Sequence, residues 1–486
     1  MSKPFKKPNL DSVTTINEDG SHFTLHPADV RGRFALWRRI LGVLMLVVYV
    51  ALPWIPINGF PAVFFDIAHR RFHLFGLTFV AEDLPLAFFA ISGLGFSLFY
   101  LTSLFGRLWC GWTCPYTVFL EHIYRRIERW VDGDATQRRA LDRRAWDRDK
   151  IVRRVVKHTL YLLCSALIAH IFLSYFVSLR SLYEYMQASP FEHFTSFFVV
   201  AFLTGALYFS FSWFREQFCI ILCPYGRIQS ALTDDNTVVI GYDQKRGEPR
   251  GKASDPSNGS CIDCNRCVQV CPTGIDIRNG LQMECIGCAA CIDACDEVMT
   301  KLSRPRGLVR YDSLNGLAGG KTRLVRPRTI LYTGLLLLGL MVLTLFLRGM
   351  HTARVDISRM TGNTYYLDGT TLRNQYTARL LTKRDVETTF SASLRGAPDG
   401  AKLSGFETPA ALSPYSEEER PFFIQLPAGD YQGPFTAEVV WKVSPGDFEM
   451  VTKVSFLGPS LYRLNELLKP GRPETKESKE SKEVKP

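Results

Sequence analysis

The sequence predicts a multidomain membrane protein in three parts: a five-span α-helical bundle, a small cysteine-rich α+β domain inserted before the fifth span, and a C-terminal β-sandwich. Three observations predict it. Five apolar stretches are each long enough to cross a bilayer as a helix; eight cysteines recur in two tandem runs of one spacing; and the chain beyond the last apolar stretch alternates polar and apolar residues between Gly, Pro and Asp turns.

A bilayer core about 30 Å thick needs roughly 20 apolar residues in a helix, and the runs Ile40 to Ile57, Leu84 to Phe105, Thr159 to Leu179, Phe194 to Phe214 and Thr329 to Leu347 meet that need. The near-zero mean hydropathy averages these spans with polar domains. The first thirty residues are polar, and the first span has no small-residue cleavage pattern before Pro53 to Pro56. No signal peptide is expected, and the amino terminus stays inside.

Lys and Arg set the orientation. Arg31, Arg33, Arg38 and Arg39 precede the first span, and the loop between the second and third carries Arg125, Arg126, Arg129, Arg138, Arg139, Arg143, Arg144, Arg148, Lys150, Arg153, Arg154 and Lys157. The other two loops offer only Arg70 with Arg71, and Arg180. The positive-inside rule then places the dense loops in the cytoplasm. The expected boundaries are a disordered cytoplasmic segment over 1–30, four transmembrane helices over 31–214 with a basic cytoplasmic loop at 106–158, a cytoplasmic cysteine-rich domain over 215–328, a fifth helix at 329–347, a sandwich across the membrane over 350–468, and a disordered tail rich in Lys, Glu and Ser over 471–486. The formal net charge of +11 does not call for nucleic acid, because the Arg clusters flank the spans, where the lipid bilayer and insertion topology account for them.

Cys261, Cys264, Cys267 and Cys271 are separated by two, two and three residues, and Pro272 follows; Cys285, Cys288, Cys291 and Cys295 repeat the spacing. Two-residue gaps aim consecutive sulfurs at three corners of an iron–sulfur cube while the fourth cysteine reaches the other cube, and thiolate is the soft ligand such clusters need. The pattern predicts two 4Fe-4S clusters in a bacterial-ferredoxin-like α+β domain on the reducing side of the membrane, where thiolates stay available. One cluster falls to Cys261, Cys264, Cys267 and Cys295, the other to Cys271, Cys285, Cys288 and Cys291. Disulfides or zinc knuckles are the bland alternative, against which two tandem copies argue. Asp296 stands where a second proline would complete the pattern, which bears on the local turn and the cluster's surroundings rather than on ligation.

A second repeat is quieter. The second span runs into Arg107, Cys110, Cys114, Pro115 and Tyr116, and the fourth into Arg215, Cys219, Cys223, Pro224 and Tyr225. Matching residues after matching spans suggest two duplicated hairpins whose thiol pairs meet near a pseudo-twofold axis. Residues four apart share one helix face, and the proline ends the turn. Four thiolates there would suit a soft metal such as Cu(I), a further iron–sulfur cluster or zinc, and two would serve as a dithiol redox pair. The bland reading is cysteine packed as a small apolar residue, which is the expectation for Cys164 inside the third span. His69 and His73, in an interfacial hairpin on the outside, are read as incidental, with metal ligation the alternative. His170 lies within a span, where a helix-to-helix hydrogen bond is expected and cofactor ligation is the alternative.

Beyond Leu347, runs such as Thr388 to Leu394, Phe422 to Leu426 and Thr436 to Val443 read as strands of a small sandwich without cysteine or an acid–base cluster, hence an interaction or stabilising module.

Taken in order, the five spans, the doubled Cys-x3-Cys-Pro motif, the paired cysteine runs and the C-terminal immunoglobulin-like β-sandwich resemble the FixG/CcoG (RdxA) family of membrane-bound iron–sulfur proteins that accompany cbb3-type cytochrome c oxidases in Gram-negative bacteria. The resemblance covers nearly the whole chain, and the order of the four parts is specific. It implies a place in the bacterial inner membrane with the sandwich in the periplasm, and a role in copper supply to the oxidase as a cupric reductase. Carried over residue by residue, the cluster ligands fall on the eight paired cysteines, and the catalytic, copper-binding thiols on Cys110, Cys114, Cys219 and Cys223. The implied partners are copper ions, a copper transporter or chaperone, cbb3 oxidase assembly factors and an unnamed electron donor; a homo-dimer is a further expectation. Two other classes compete: a quinol-linked electron-transfer subunit of the membrane-ferredoxin type, which shares the motifs but lacks the sandwich, and a non-enzymatic copper chaperone or assembly scaffold.

Overall fold

The computed structural model describes residues 24–80, 83–348, 352–446 and 448–468. Five helices are long and apolar enough to cross a membrane: Arg33–Trp54, Pro85–Phe105, Arg148–Leu173, Phe194–Phe214 and Pro327–Arg348. The first and third begin well before their apolar runs. Basic residues continue the helix there, because their aliphatic stems can lie along apolar surface while the charged heads reach water. The third opens on Asp147, whose side chain accepts from the Lys150 amide and caps the helix. The third and fourth helices pack together, as do the second and fifth, the latter pair through Phe89 and Phe346 with ring centroids 5.5 Å apart. Leu337 and Leu338 of the fifth helix stay more than half exposed, the outward apolar face a lipid-facing helix presents.

The chain divides into two compact units at Arg348. In the first, the segment read from sequence as a basic loop folds into short helices, Leu108–Trp112, Pro115–Phe119, Arg125–Val131 and Ala135–Arg143. Several of its cations are interior. Glu128 accepts from Arg138 at 3.0 Å, from the Tyr161 hydroxyl at 3.0 Å and from Arg215. Burial alone would raise the Glu128 carboxyl, but Arg215, Lys157 and Arg138 outweigh it and hold the group well below the usual range. Arg125 pairs with Glu121 and, at 3.1 Å, with Glu216, while its Nη2 donates to the Pro272 carbonyl at 3.1 Å. These arginines hold the fold together.

Residues 24–30, expected to be disordered with the rest of 1–30, lie against this unit. The Ala28 amide donates to the Gln269 carbonyl at 2.8 Å, and Arg138 donates to the Pro27 carbonyl at 3.1 Å. The remaining stretches expected to be disordered, 1–23 and 471–486, lie outside the described residues. Between the first two spans, Val63–Asp66, Arg71–Leu74 and Leu77–Val80 form a three-stranded antiparallel sheet. The cysteine-rich segment is closed by an antiparallel pair, Val239–Tyr242 with Val309–Asp312, and carries helices Arg266–Gln269 and Ala290–Lys301.

The second unit is a two-sheet sandwich. One sheet orders Lys402–Ser404, Glu417–Pro427, Thr371–Thr382 and Ala353–Arg359; the other orders Ala410–Leu412, Thr388–Arg395, Phe435–Ser444 and Phe448–Phe456. Along Thr371–Thr382, Leu372, Asn374, Tyr376, Ala378 and Leu380 alternate into the core, the period-two signature of a strand with one buried face. Trp441 is fully buried, edge-on to Phe406 at 5.0 Å and to Phe422 at 6.1 Å. Trp441→Ala is expected to cost about 3–5 kcal/mol, read as an earlier urea midpoint of this unit by far-UV circular dichroism. Arg125→Met leaves Glu121 and Glu216 without their buried cation and should cost about 3–5 kcal/mol. Arg153→Met, which breaks a half-exposed pair with Asp149, should cost no more than about 1 kcal/mol. Thermal melts in detergent separate the two.

Candidate iron–sulfur and membrane-face thiol sites

The eight paired cysteines gather into two sets. Cys261, Cys264, Cys267 and Cys295 line one cavity together with Tyr242, Arg278 and Leu308; Cys271, Cys285, Cys288 and Cys291 line a second with Ile240, Ile275 and Ile277, and Cys267 borders both. The local backbone explains how two-residue gaps achieve this. Asp263 and Asn265 flank Cys264 at φ 53° and 54°, and Gly287 and Ala289 flank Cys288 at φ 67° and 61°. The paired left-handed turns fold each run back on itself before its helix begins. Asp, Asn and Gly enter that region readily, whereas Ala289 bears a strain of roughly 1–3 kcal/mol. Asp296 accepts from the Gly307 amide at 2.8 Å, so the carboxylate found in place of proline ties down the chain returning to the second strand.

Burial pushes the Cys267, Cys285 and Cys295 thiols up to about 12. They are neutral until a metal displaces their protons. Among the described residues no three His, Cys, Asp or Glu side chains close tightly enough to hold one metal ion. Four thiols spread around a cavity suit a cube, which is wider than a single ion.

The Cys-x3-Cys-Pro thiols share one neighbourhood, although no three of them close on a single ion. Cys219 lies within electrostatic range of Cys114, Cys110 and Cys223, and burial raises it to about 12; burial likewise raises Cys110, partly offset by Arg107. The Gln229 amide sits 3.5 Å from the Cys110 sulfur and accepts from Arg107. Cys114 and Cys223 each precede the proline that starts a helix, Pro115–Phe119 and Pro224–Leu232. The two tyrosines cross over. Tyr116 donates to the Arg215 carbonyl at 2.6 Å at the end of the fourth span, and Tyr225 donates to the Leu98 carbonyl at 3.1 Å near the end of the second. Each hairpin is thus fastened to its duplicate.

The repeat's register differs from the sequence reading at one position. Gly106 (φ 55°, ψ −131°) and Arg215 (φ 46°, ψ −124°) share one backbone conformation, each four residues before its first cysteine. Arg215 therefore matches Gly106, and the counterpart of Arg107 is Glu216. Arg215 tolerates a glycine conformation because its guanidinium is bonded to Glu128 and to the Ser212 carbonyl.

Other residues stand apart. Cys164 packs beside Tyr124 and Phe211. His69 meets Asp66 at 2.7 Å; His73 meets Thr78 at 2.9 Å and stacks on Phe60. His170 bonds the Ala166 carbonyl of its own helix at 2.7 Å, where a bond between helices was expected. Gln229 carried no motif and was missed; Arg107 was read as part of the repeat and Arg125 as topology, and neither was given a role at the site.

The profile of a family described as a 4Fe-4S dicluster domain matches residues 214–314, which hold all eight paired cysteines. One described as a 4Fe-4S binding domain matches 86–132, which hold Cys110 and Cys114, and one described as an IG-like fold at the C-terminal of FixG matches 341–459. The chain is 35% identical to Protein RdxA of Cereibacter sphaeroides over 416 residues, 80% of this chain and 87% of RdxA. It is 37% identical to Protein RdxB of the same organism over 418 residues, 80% of this chain and 86% of RdxB. Nitrogen fixation protein FixG of Rhizobium meliloti is 39% identical over 312 residues, 60% of this chain and 58% of FixG. The apolar helices, the thiol sets and these matches define a membrane-bound iron–sulfur electron-transfer protein. The chain belongs to the FixG/RdxA family.

Proposed function

We propose that the protein is a cupric reductase, converting Cu(II) to Cu(I) at Cys110, Cys114, Cys219 and Cys223 for copper delivery and assembly of a cbb3-type cytochrome c oxidase. The observation that carries this reading is that the four thiols, two from each hairpin, lie within electrostatic range of one another beside the loop bearing Cys285 and Cys288; no three of them close on one ion, and a pair of thiolates is enough for soft Cu(I). Copper is the substrate: each Cu(II) takes up one electron to become Cu(I), and the electron enters from a cytoplasmic reductant or from quinol. The 4Fe-4S clusters held by Cys261, Cys264, Cys267 and Cys295 and by Cys271, Cys285, Cys288 and Cys291 supply one-electron transfer when bound.

The chain's own residues do the rest. Thiolates bias the couple toward the product, because Cu(I) is the softer ion. Arg107, held by Gln229, offsets the negative charge that gathers when Cys110 and Cys219 ionise. The distribution of Lys and Arg supports placing the thiol quartet and the iron–sulfur domain on the cytoplasmic face of a bacterial inner membrane, with the sandwich in the periplasm. Copper transporters or chaperones and oxidase assembly factors are the partners this reading requires.

Anaerobic stopped-flow absorbance of dithionite-reduced protein mixed with Cu(II) and a Cu(I)-specific chromophore tests it. The expected outcome is cluster reoxidation with matching Cu(I) formation in the wild type, slowed on the order of tenfold or more in Cys110→Ser/Cys219→Ser. Clusters that stay reduced in Cu(II) but are reoxidised by quinone would sink the reading in favour of quinol-linked transfer. Because burial raises Cys110 and Cys219 above their ordinary 9.0, copper must displace protons from them. Cu(I) affinity should therefore rise with pH between about 6 and 8, as measured by chromophore competition.

A further inference from the structure

The short helix that carries Cys110 is docked on one cysteine set and not on the other. Gly111 follows Cys110 directly, and a Cβ built on it would lie 2.5 Å from the Ile286 carbonyl oxygen and 2.9 Å from both the amide nitrogen and the Cα of Cys288. Real Cβ atoms do not approach backbone so closely, and backbone cannot swing aside as a side chain can. The contact is reciprocal. A Cβ on Gly287 would sit 3.2 Å from the Arg107 carbonyl oxygen and 3.3 Å from the Leu108 amide nitrogen. Glycines on both sides let the two segments meet backbone to backbone.

Hydrogen bonds hold the junction at either end. The Trp112 indole donates to the Gly287 carbonyl at 3.1 Å, a carbonyl that also accepts from the Tyr311 hydroxyl at 2.6 Å. Arg107 donates to the Met283 carbonyl, and Arg38 donates to the Gly111 carbonyl at 3.0 Å. Between them Cys110 and Cys288 share one buried apolar cluster with Val270, Ile286, Ala290 and Ala294. The second thiol set and the membrane-face quartet thus have a dry, bonded interface between them.

We infer that Gly111 is a positioning residue. By having no side chain it lets the Cys285–Cys288 loop seat against the Cys110 helix, and this makes the set Cys271, Cys285, Cys288 and Cys291, rather than Cys261, Cys264, Cys267 and Cys295, the one coupled to the membrane-face thiols. The inference rests on reading the quartet as a metal-binding site. A metal ion entering the quartet changes its net charge by the ion's own charge less the protons it displaces, and that change moves the potential of whichever cluster lies nearest by a Coulomb energy that falls with separation.

The test uses full-length, cluster-loaded protein in detergent and zinc ion as a probe that takes no electron. EPR-monitored redox titration with and without Zn(II) should show a shifted midpoint potential for one cluster, the one whose signal Cys291→Ser perturbs, with the other unmoved. In Gly111→Val, iron and acid-labile sulfide should stay at wild-type content while the Zn(II)-induced shift falls by about half or more. Trp112→Phe, which keeps the glycine but removes a bond to the loop, should give a smaller loss in the same direction, and it decides alone if Gly111→Val fails to hold iron. A shift in the other cluster, equal shifts in both, no shift in the wild type, or a full shift persisting in the variants would overturn the inference. Since zinc is not reduced, a wild type that shows the shift yet does not turn over Cu(II) defeats the cupric-reductase reading and leaves the role of Gly111 standing.

Discussion

The buried guanidinium of Arg125 is the point at which the membrane-proximal parts of this protein are joined. It bonds Glu121 on its own helical run, Glu216 at the end of the fourth span and the carbonyl of Pro272 beside Cys271. One side chain therefore touches both hairpins and the iron–sulfur segment. Burying such a charge is costly unless several partners surround it. The planar fork of arginine can serve three at once, which a lysine ammonium cannot do with the same fixed geometry. A consequence appears at Glu121. Burial would raise its carboxyl, yet Arg125, with Arg38 and Arg129 behind it, holds it down at about 2.

With that joint in place, duplication does the remaining work. Two spans end in the same glycine-like turn, two cysteine pairs precede two helix-starting prolines, and two tyrosines each reach into the opposite hairpin. The two thiol pairs lie in one neighbourhood as a result. The symmetry breaks where the chemistry is expected: Arg107 faces the thiols and the Cys285 loop, while its counterpart Glu216 turns toward Arg125. One half of the repeat sets a cation beside the thiols, and the other is tied to the buried Arg125.

Much of this was legible beforehand. The grouping of the eight cysteines could be read because the separations that aim the sulfurs are local, a matter of two residues and a turn. Apolar runs showed the spans, and alternation along Thr388–Arg395 or Phe435–Ser444 showed the sandwich. The density of arginine between the second and third spans was visible too, but it was read only as topology. Charge pattern tells which side of a membrane a loop favours, not which guanidinium finds a carboxylate far along the chain, as Arg215 finds Glu128. His170 was given a partner on another helix for the same reason, and its bond is within its own.

The sequence by itself determined what depends on short separations: the two thiol sets, the five spans, the duplicated Cys-x3-Cys-Pro element and the family to which their order points. Only the tertiary structure decided what depends on distant segments meeting: that Arg215 takes the place of Gly106 in the repeat, that Arg125 joins three segments, and that Gly111 lies against Cys288. The physical reason is one of range. Spacing along a chain constrains only the neighbours a turn or helix brings together, whereas a buried ion pair or a backbone approach through a glycine exists only once packing has excluded water and side chains from between the two segments.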